Sequence, residues 1–303
     1  MRVAAVILCR KQENYAERIA AALSEQTVKP DRMLVVLDRP GYREEQVVRK
    51  AYSGLENCEL LVIHTTPENI ARPPMLPGVL PFCAGRCRNL ALELIDSWAY
   101  DLAVFSDGDC IPYAGWIESH LAAAGNAGDR PTVTIGRRRE TKWGSHDQRE
   151  RSAEHPVDIF GTTARTVDRE WHIADSGVLW SCNFGITRPA VELLKKLNMM
   201  LYGSEEVFHS DFTGRWGGED GFLGMECFYG GIPMVTTPVD GNDGVLHIEH
   251  PRIATLYKDT NAFMEFLDAK RCELITLLNA RGLYSGKFRA RKELVGEAKL
   301  AKK

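Results

Sequence analysis

Short runs of apolar residues, separated by stretches with helical spacing, organise the N-terminal third of the chain. Val3–Leu8, Met33–Leu37 and Glu59–His64 predict strands, being brief, rich in Val, Ile and Leu, and bounded by polar or turn residues. Between them, Tyr15–Gln26 puts Ile19, Ala22 and Leu23 on one helical face, and Glu44–Tyr52 forms a second helical block. Pro30 closes the first unit, and Asp38-Arg39-Pro40-Gly41 marks a turn. This β-α-β-α-β order predicts a parallel sheet with right-handed crossovers. Its carboxyl-end loops carry Arg10, Asp38 and His64, where open α/β sheets bind ligands.

Thr65–Pro81 holds five prolines and reads as a loop. Gly85-Arg86-Cys87-Arg88-Asn89 leads into a helix over Leu90–Trp98. A glycine and two arginines at a helix start suit a diphosphate, and suit plain solvent equally well. Leu102–Phe105 predicts a fourth, buried strand that runs into Ser106-Asp107-Gly108-Asp109. Taken alone, Asp-x-Asp is most simply a solvated turn. Here an apolar strand enters it directly, Gly108 lets the backbone turn and approach a ligand, and Pro112 stops the strand. Two carboxylates at the carboxyl end of a strand offer hard oxygen ligands to Mg2+ or Mn2+.

Trp116–Ala124 reads as a helix and Pro131–Ile135 as a strand. Gly136–Ser176 loses apolar periodicity and carries Arg137, Arg138, Arg139, Glu140 and Lys142. Such a segment is either a binding loop or a stretch without a role; Trp143, Trp171 and His172 favour the binding loop. Val178–Cys182 reads as a strand running into Asn183-Phe184-Gly185-Ile186, and Thr187 with Pro189 opens a helix. Trp216-Gly217-Gly218-Glu219-Asp220 predicts a tight turn presenting two acids at a helix N-terminus. Those acids serve either the helix dipole or general-base chemistry, and alone the dipole is the simpler reading. Gly231–Val235 returns into a last strand. In Val245–His250, His247 and Glu249 share one face and His250 takes the other. A histidine there either completes a metal shell begun by Asp109 or is an ordinary hydrogen-bonded residue. Asn261–Leu278 is an amphipathic helix, and a basic tail follows from Lys287.

Composition changes the picture little. A net charge of -3 gives no global pull toward nucleic acid or membrane, although the tail could touch an anionic surface. The 8 cysteines include no CxxC pair and no matching zinc spacing; Cys9, Cys110 and Cys182 lie in or beside apolar runs and read as small core residues. Reduced thiols and a cytoplasmic setting, soluble or peripheral at a membrane, are expected. The apolar stretch after Arg2 is too short for a signal core or a membrane span.

Four segments, taken in order, resemble the nucleotide-sugar glycosyltransferases of the GT-A fold. They are most similar to glycosyltransferase family 2, with features shared with the polypeptide N-acetylgalactosaminyltransferases. The segments are Asp107-Gly108-Asp109 with its following turn, Gly85 through Asn89, Ser181 through Ile186, and Trp216 through Asp220. The resemblance runs from Val3 to His250. It implies an α/β fold with a mixed, mostly parallel central sheet flanked by helices. Residues 1–116 would form the nucleotide-sugar half and 117–250 the acceptor half with its loop 136–176, followed by a C-terminal helix and tail over 251–303. It implies a nucleotide-sugar donor, a UDP-sugar, with Asp38 contacting the uracil or other base and Arg10, Arg88, Asp107 and Gly108 on the donor side. Asp109 and Asp107 would hold Mn2+ or Mg2+ with His247, or with His250 in its place. Asp220 would deprotonate the acceptor hydroxyl with Glu219 in support, and Asn183, Trp216 and Gly218 would line the acceptor side. One base on the face opposite the leaving group implies inversion, whereas the N-acetylgalactosaminyltransferase features imply retention. The acceptor class stays open among glycan, lipid-linked glycan, protein and modified nucleic-acid base.

Two other classes compete. A sugar-nucleotide nucleotidyltransferase would place a Gly-rich basic loop after the first strand, where this chain has Cys9-Arg10-Lys11-Gln12-Glu13-Asn14. A non-catalytic carbohydrate- or nucleotide-binding module would have no need of Asp220.

Overall fold

The computed structural model describes residues 1–64, 83–141, 152–153, 182–209, 218–238, 243–248 and 260–284. The N-terminal alternation is realised as β1 (Val3–Cys9), α1 (Ala16–Ser24), β2 (Arg32–Asp38), α2 (Tyr42–Tyr52) and β3 (Cys58–Ile63). Next come α3 (Ala84–Asp96), β4 (Leu102–Asp107), β5 (Cys110–Pro112), α4 (Trp116–Ala127) and β6 (Val133–Ile135). The C-terminal half adds β7 (Arg138–Thr141), β8 (Ser152–Ala153), β9 (Asn183–Thr187) and α5 (Arg188–Tyr202). It ends with α6 (Glu219–Gly230), β10 (Met234–Thr236), β11 (Val245–His247) and α7 (Thr260–Ala280).

Among the described residues, seven strands form one sheet in the order β10-β6-β9-β4-β1-β2-β3. β1 pairs in parallel with β2 and β4, β2 with β3, and β6 with β10. β9 runs antiparallel between β4 and β6, which makes the sheet mixed. A smaller sheet, ordered β5-β11-β7-β8, joins segments from both halves of the chain.

The apolar runs are continuous because both faces of the central sheet are covered. Val6, Leu8, Val36 and Phe105 face a core shared with α3, α5, α6 and α7. Ile7, Val35, Leu37 and Val104 face a second core shared with α1 and α4. Each such Val, Leu, Ile or Phe contributes about 1.5–3 kcal/mol of hydrophobic stabilisation. Phe105 and Phe184 lie opposite each other in the β4–β9 register and stack at 4.8 Å, which helps to seat the antiparallel strand.

Several expectations shift. α3 starts at Ala84 rather than near Leu90, so Arg88 stands in its second turn; Cys87, Ala91 and Ile95 form the buried stripe that extends it. The stretch expected to be a polar loop from Gly136 contributes β7 and β8 to the small sheet. Thr187 occupies the N-cap of α5, yet its hydroxyl donates to the Thr132 carbonyl at 3.1 Å instead of capping the helix. The segment 65–82, residues 142–151 and 154–181 (with Trp143, Trp171, His172 and Val178–Ser181), His250 and the tail from Lys287 lie outside the described residues. Among those described, no helix is long and apolar enough to cross a membrane.

A buried polar cluster links α4, β6 and β9. Asn183 Oδ1 accepts from Trp116 Nε1 and from His120 Nε2, both at 2.8 Å, and Thr134 Oγ1 lies 2.7 Å from His120 Nδ1. A carbonyl oxygen can only accept, so Nε2 carries the ring hydrogen and Nδ1 accepts from the threonine. Burial pushes the His120 pKa down to about 4 from 6.5. The stability tied to this neutral ring is complete above about 6.5 and is lost as the pH falls toward about 4. Acidification across that window should cost about 3 kcal/mol at this residue. In urea titrations, the stability gap between wild type and His120→Gln should therefore narrow from pH 7 to pH 4.5. A gap that stays constant would mean that the ring is not held neutral.

Candidate functional site

The carboxyl ends of β1 and β4 lie side by side, with Asp107 in register with Leu8. Gly108 follows and donates its N–H to the Leu8 carbonyl at 2.6 Å. A Cβ at Gly108 would stand 2.6 Å from Gln12 Oε1 and 2.7 Å from Cys9 Sγ. Packing against β1 and its loop by itself leaves no room for a side chain at this position.

The chain then enters β5, which pairs antiparallel with β11 and sets Cys110 opposite His247. The Ile248 N–H donates to the Asp109 carbonyl at 2.8 Å and extends that pairing. In this way His247, distant in sequence, is delivered to the Asp pair, with its Nε2 3.6 Å from Asp109 Oδ2. Ligand atoms of Asp109, Cys110 and His247 all lie within 4.8 Å of one another. The Cys110 thiol donates to Asp109 Oδ1 at 3.4 Å, and burial pushes its pKa well up in the metal-free protein. The donor set near an ion would be carboxylate oxygen and imidazole nitrogen, with a single buried thiol beside them. That set fits Mn2+ or Mg2+ completed by oxygen ligands, and does not fit a thiolate-rich structural zinc. Arg138 Nη2 lies 3.2 Å from His247 Nδ1; a guanidinium can only donate, so without an ion Nδ1 accepts and the ring hydrogen sits on Nε2, and an ion held at Nε2 would need that hydrogen on Nδ1 and Arg138 turned away.

Arg88 connects this corner to the helix start at Glu219. Fully buried, it donates from Nη2 to Asp107 Oδ1 and from Nη1 to Glu219 Oε1, each at 2.9 Å. Its guanidinium also rests over the Phe208 ring at 5.7 Å. Asn89 holds Phe208 in place through two bonds of 2.9 Å, donating to its carbonyl and accepting from its N–H. Burial pushes the Asp107 carboxyl up, against the pull of Arg88 and with Asp109 adding to the push. Burial and then Asp220 push Glu219 up, again against Arg88. Carboxylates crowded in this way favour a divalent cation among them.

Gly218 caps α6 with φ of +89, a left-handed conformation that glycine adopts without strain. It is therefore a backbone device at the helix start. Gly85 supplies room on the facing helix, since a Cβ there would come within 3.3 Å of Glu219 Cβ. Glu219 turns inward to Arg88, whereas the neighbouring Asp220 is half-buried and accepts from the Gly221 N–H at 2.7 Å. Asp220 is the more exposed acid of the pair.

At the ends of β1 and β2, Asp38 is 1% exposed and engaged by two arginines. Its Oδ1 accepts from Arg39 Nε at 2.9 Å; its Oδ2 accepts from Arg39 Nη2 at 2.8 Å and Arg10 Nη1 at 3.1 Å. Arg39 holds φ at +50, and its N–H donates to the Ile63 carbonyl at 2.8 Å. A non-glycine residue in that region is uncommon and concentrates at functional sites.

The structure thus brings Arg88, Asp107, Asp109, Glu219, Asp220 and His247 into one cluster, with Arg10 and Asp38 at the neighbouring strand ends. Asn183 lies beneath the cluster, fully buried in the network with Trp116 and His120. Trp216 is outside the described residues. Sequence reasoning missed Arg39, Arg138, His120 and Phe208. Arg39 is hidden within a turn signal, Arg138 within a charged run, and His120 and Phe208 acquire partners only through the fold.

No family model matches the sequence, and no curated protein matches it. Solved structures do. S. aureus TarS 1–349 in complex with UDP-GlcNAc superposes with a TM-score of 0.57 at 15% identity, covering 91% of this chain and 70% of that one. The same fragment in complex with UDP gives 0.55 at 16% identity, with coverages of 95% and 74%. Against a longer S. aureus TarS structure the TM-score is 0.53 at 15% identity; 90% of this chain is covered but only 43% of the other. At such identities the likeness is one of fold, and that fold is the mixed, mostly parallel GT-A arrangement expected from the sequence.

Proposed function

We propose that the chain is a metal-dependent glycosyltransferase that moves a sugar from a UDP-sugar to an acceptor hydroxyl. The observation that carries this reading is the convergence of Asp109 and His247 with the Arg88–Glu219–Asp220 cluster at the carboxyl end of β4. The fold's likeness to a protein crystallised with UDP-GlcNAc supports the choice of UDP.

Asp109 and His247, with Asp107 adjacent, would hold Mn2+ or Mg2+. When bound, the ion supplies the positive charge that a departing nucleoside diphosphate needs. Arg88 fixes Asp107 and Glu219 in place, so the two carboxylates approach without repelling each other apart. Asp220 takes the proton from the acceptor hydroxyl, which is a weak nucleophile without a base at hand. A single base of this kind, acting opposite the leaving group, favours inversion. Near Arg10 and Arg39, the strand ends offer guanidinium donors to the donor nucleotide.

Calorimetric titration with UDP, CDP and GDP, each with Mn2+ and with a chelator, tests this reading. UDP binding is expected in Mn2+ and lost in chelator, and Asp109→Ala should weaken it more than about 100-fold. If folded wild-type protein binds none of the three, the donor site is not where it is proposed to be.

A further inference from the structure

The metal-binding edge is built from two short strands that need an anchor. β11 carries His247 and β7 carries Arg138, and the two strands pair in parallel with Val245 opposite Arg138. Immediately before β7 the Arg137 carbonyl accepts from the Val245 N–H at 3.0 Å. The same carbonyl accepts from Asn183 Nδ2 at 2.5 Å. A polypeptide oxygen with two lone pairs thus joins the small sheet to a side chain rooted in the central sheet.

Asn183 is itself held rigidly. Its Oδ1 takes the Trp116 and His120 hydrogens, and its backbone carbonyl accepts from the Gly136 N–H at 3.0 Å. The amide orientation follows from chemistry, because the indole can only donate and the Arg137 carbonyl can only accept. Two glycines make the space: a Cβ at Gly136 would overlap the Asn183 amide, and one at Gly185 would overlap the Thr134 hydroxyl beside His120.

We propose that Asn183 is a positioning residue for the metal-binding edge. By fixing the Arg137 carbonyl it sets the place at which β7 and β11 present Arg138 and His247 to Asp109. Asn183 touches neither substrate nor ion. The metal half of this inference rests on the function proposed above; the tether itself does not.

Three variants and two readouts test it, with wild type alongside. Asn183→Ala removes the tether, and Gly136→Ala displaces the amide and should copy it. Leu23→Ala is a core truncation on α1 that lowers stability away from the site. Mn2+ affinity is expected to fall 10–100-fold in Asn183→Ala, as when other residues that orient metal ligands are removed, and to hold in Leu23→Ala. Amide hydrogen exchange of metal-free protein should speed up at Val245 in Asn183→Ala while β1 and β4 stay protected. The proposal is overturned if Asn183→Ala binds Mn2+ as wild type does and keeps slow exchange at Val245. Should wild type take up no Mn2+, the metal reading falls and Val245 exchange decides the tether: selective loss of protection supports it, unchanged protection refutes it.

Discussion

Asp220→Asn should keep its donor and lose transfer, with kcat down by about 100- to 10,000-fold. Asparagine has the same shape and keeps an oxygen for the Gly221 N–H, so the first turn of α6 is preserved. What disappears is the only property that a base requires. Donor affinity should stay within about threefold of wild type, since a group used on the acceptor contributes to the transition state and little to donor binding. With UDP-GlcNAc as probe, UDP release reads turnover and calorimetry reads binding. Unchanged turnover would remove Asp220 as the base; lost UDP binding would place it in the donor pocket instead. Glu219→Gln makes a useful contrast, because that side chain is committed to Arg88 and its substitution acts first on the fold.

Arg88→Ala is expected to cost about 3–5 kcal/mol of stability, the usual loss when one partner of a buried ion pair is removed. Asp107 and Glu219 both lean on this guanidinium, and without it two carboxylates remain, Glu219 buried and Asp107 partly so, near Asp109 and Asp220. Their ionised forms then become the costly state. Protonation relieves that cost, so the gap between wild type and variant in urea titrations should shrink as the pH is lowered from 8 to 5. Arg88→Lys should recover part of the loss, since an ammonium supplies charge but cannot bridge two partners with a planar fork. A loss below about 1 kcal/mol in Arg88→Ala would show that water reaches this cluster and screens it.

How much of this was legible beforehand depends on the range over which each signal acts. Val3–Leu8 and Leu102–Phe105 announce buried strands because both faces of each strand are apolar, and the Asp pair is visible because it interrupts such a run. Glu219 and Asp220 are placed at a helix start by the glycines before them and the apolar residues after. The small sheet is not legible: its strands are two to four residues long, too short for any periodicity. Arg88 illustrates the harder limit. Nothing near it in sequence says whether it is solvated, and the carboxylate that decides the matter, Glu219, lies 131 residues away. Asn183 was legible as a motif residue but not as a bracket, because the Arg137 carbonyl that it holds carries no side-chain signature at all.

The insertion of β9 between β4 and β6 has a consequence for how the protein must be made. β1, β2, β3 and β4 can pair as soon as they leave the ribosome, but the far edge of β4 stays open until Asn183–Thr187 has been synthesised. During that interval the nascent chain exposes a bare strand edge with Phe105 not yet stacked on Phe184, a surface that invites pairing with other chains. Low temperature, slow induction or co-expressed holdase chaperones should therefore raise the soluble yield more than any buffer chosen after lysis.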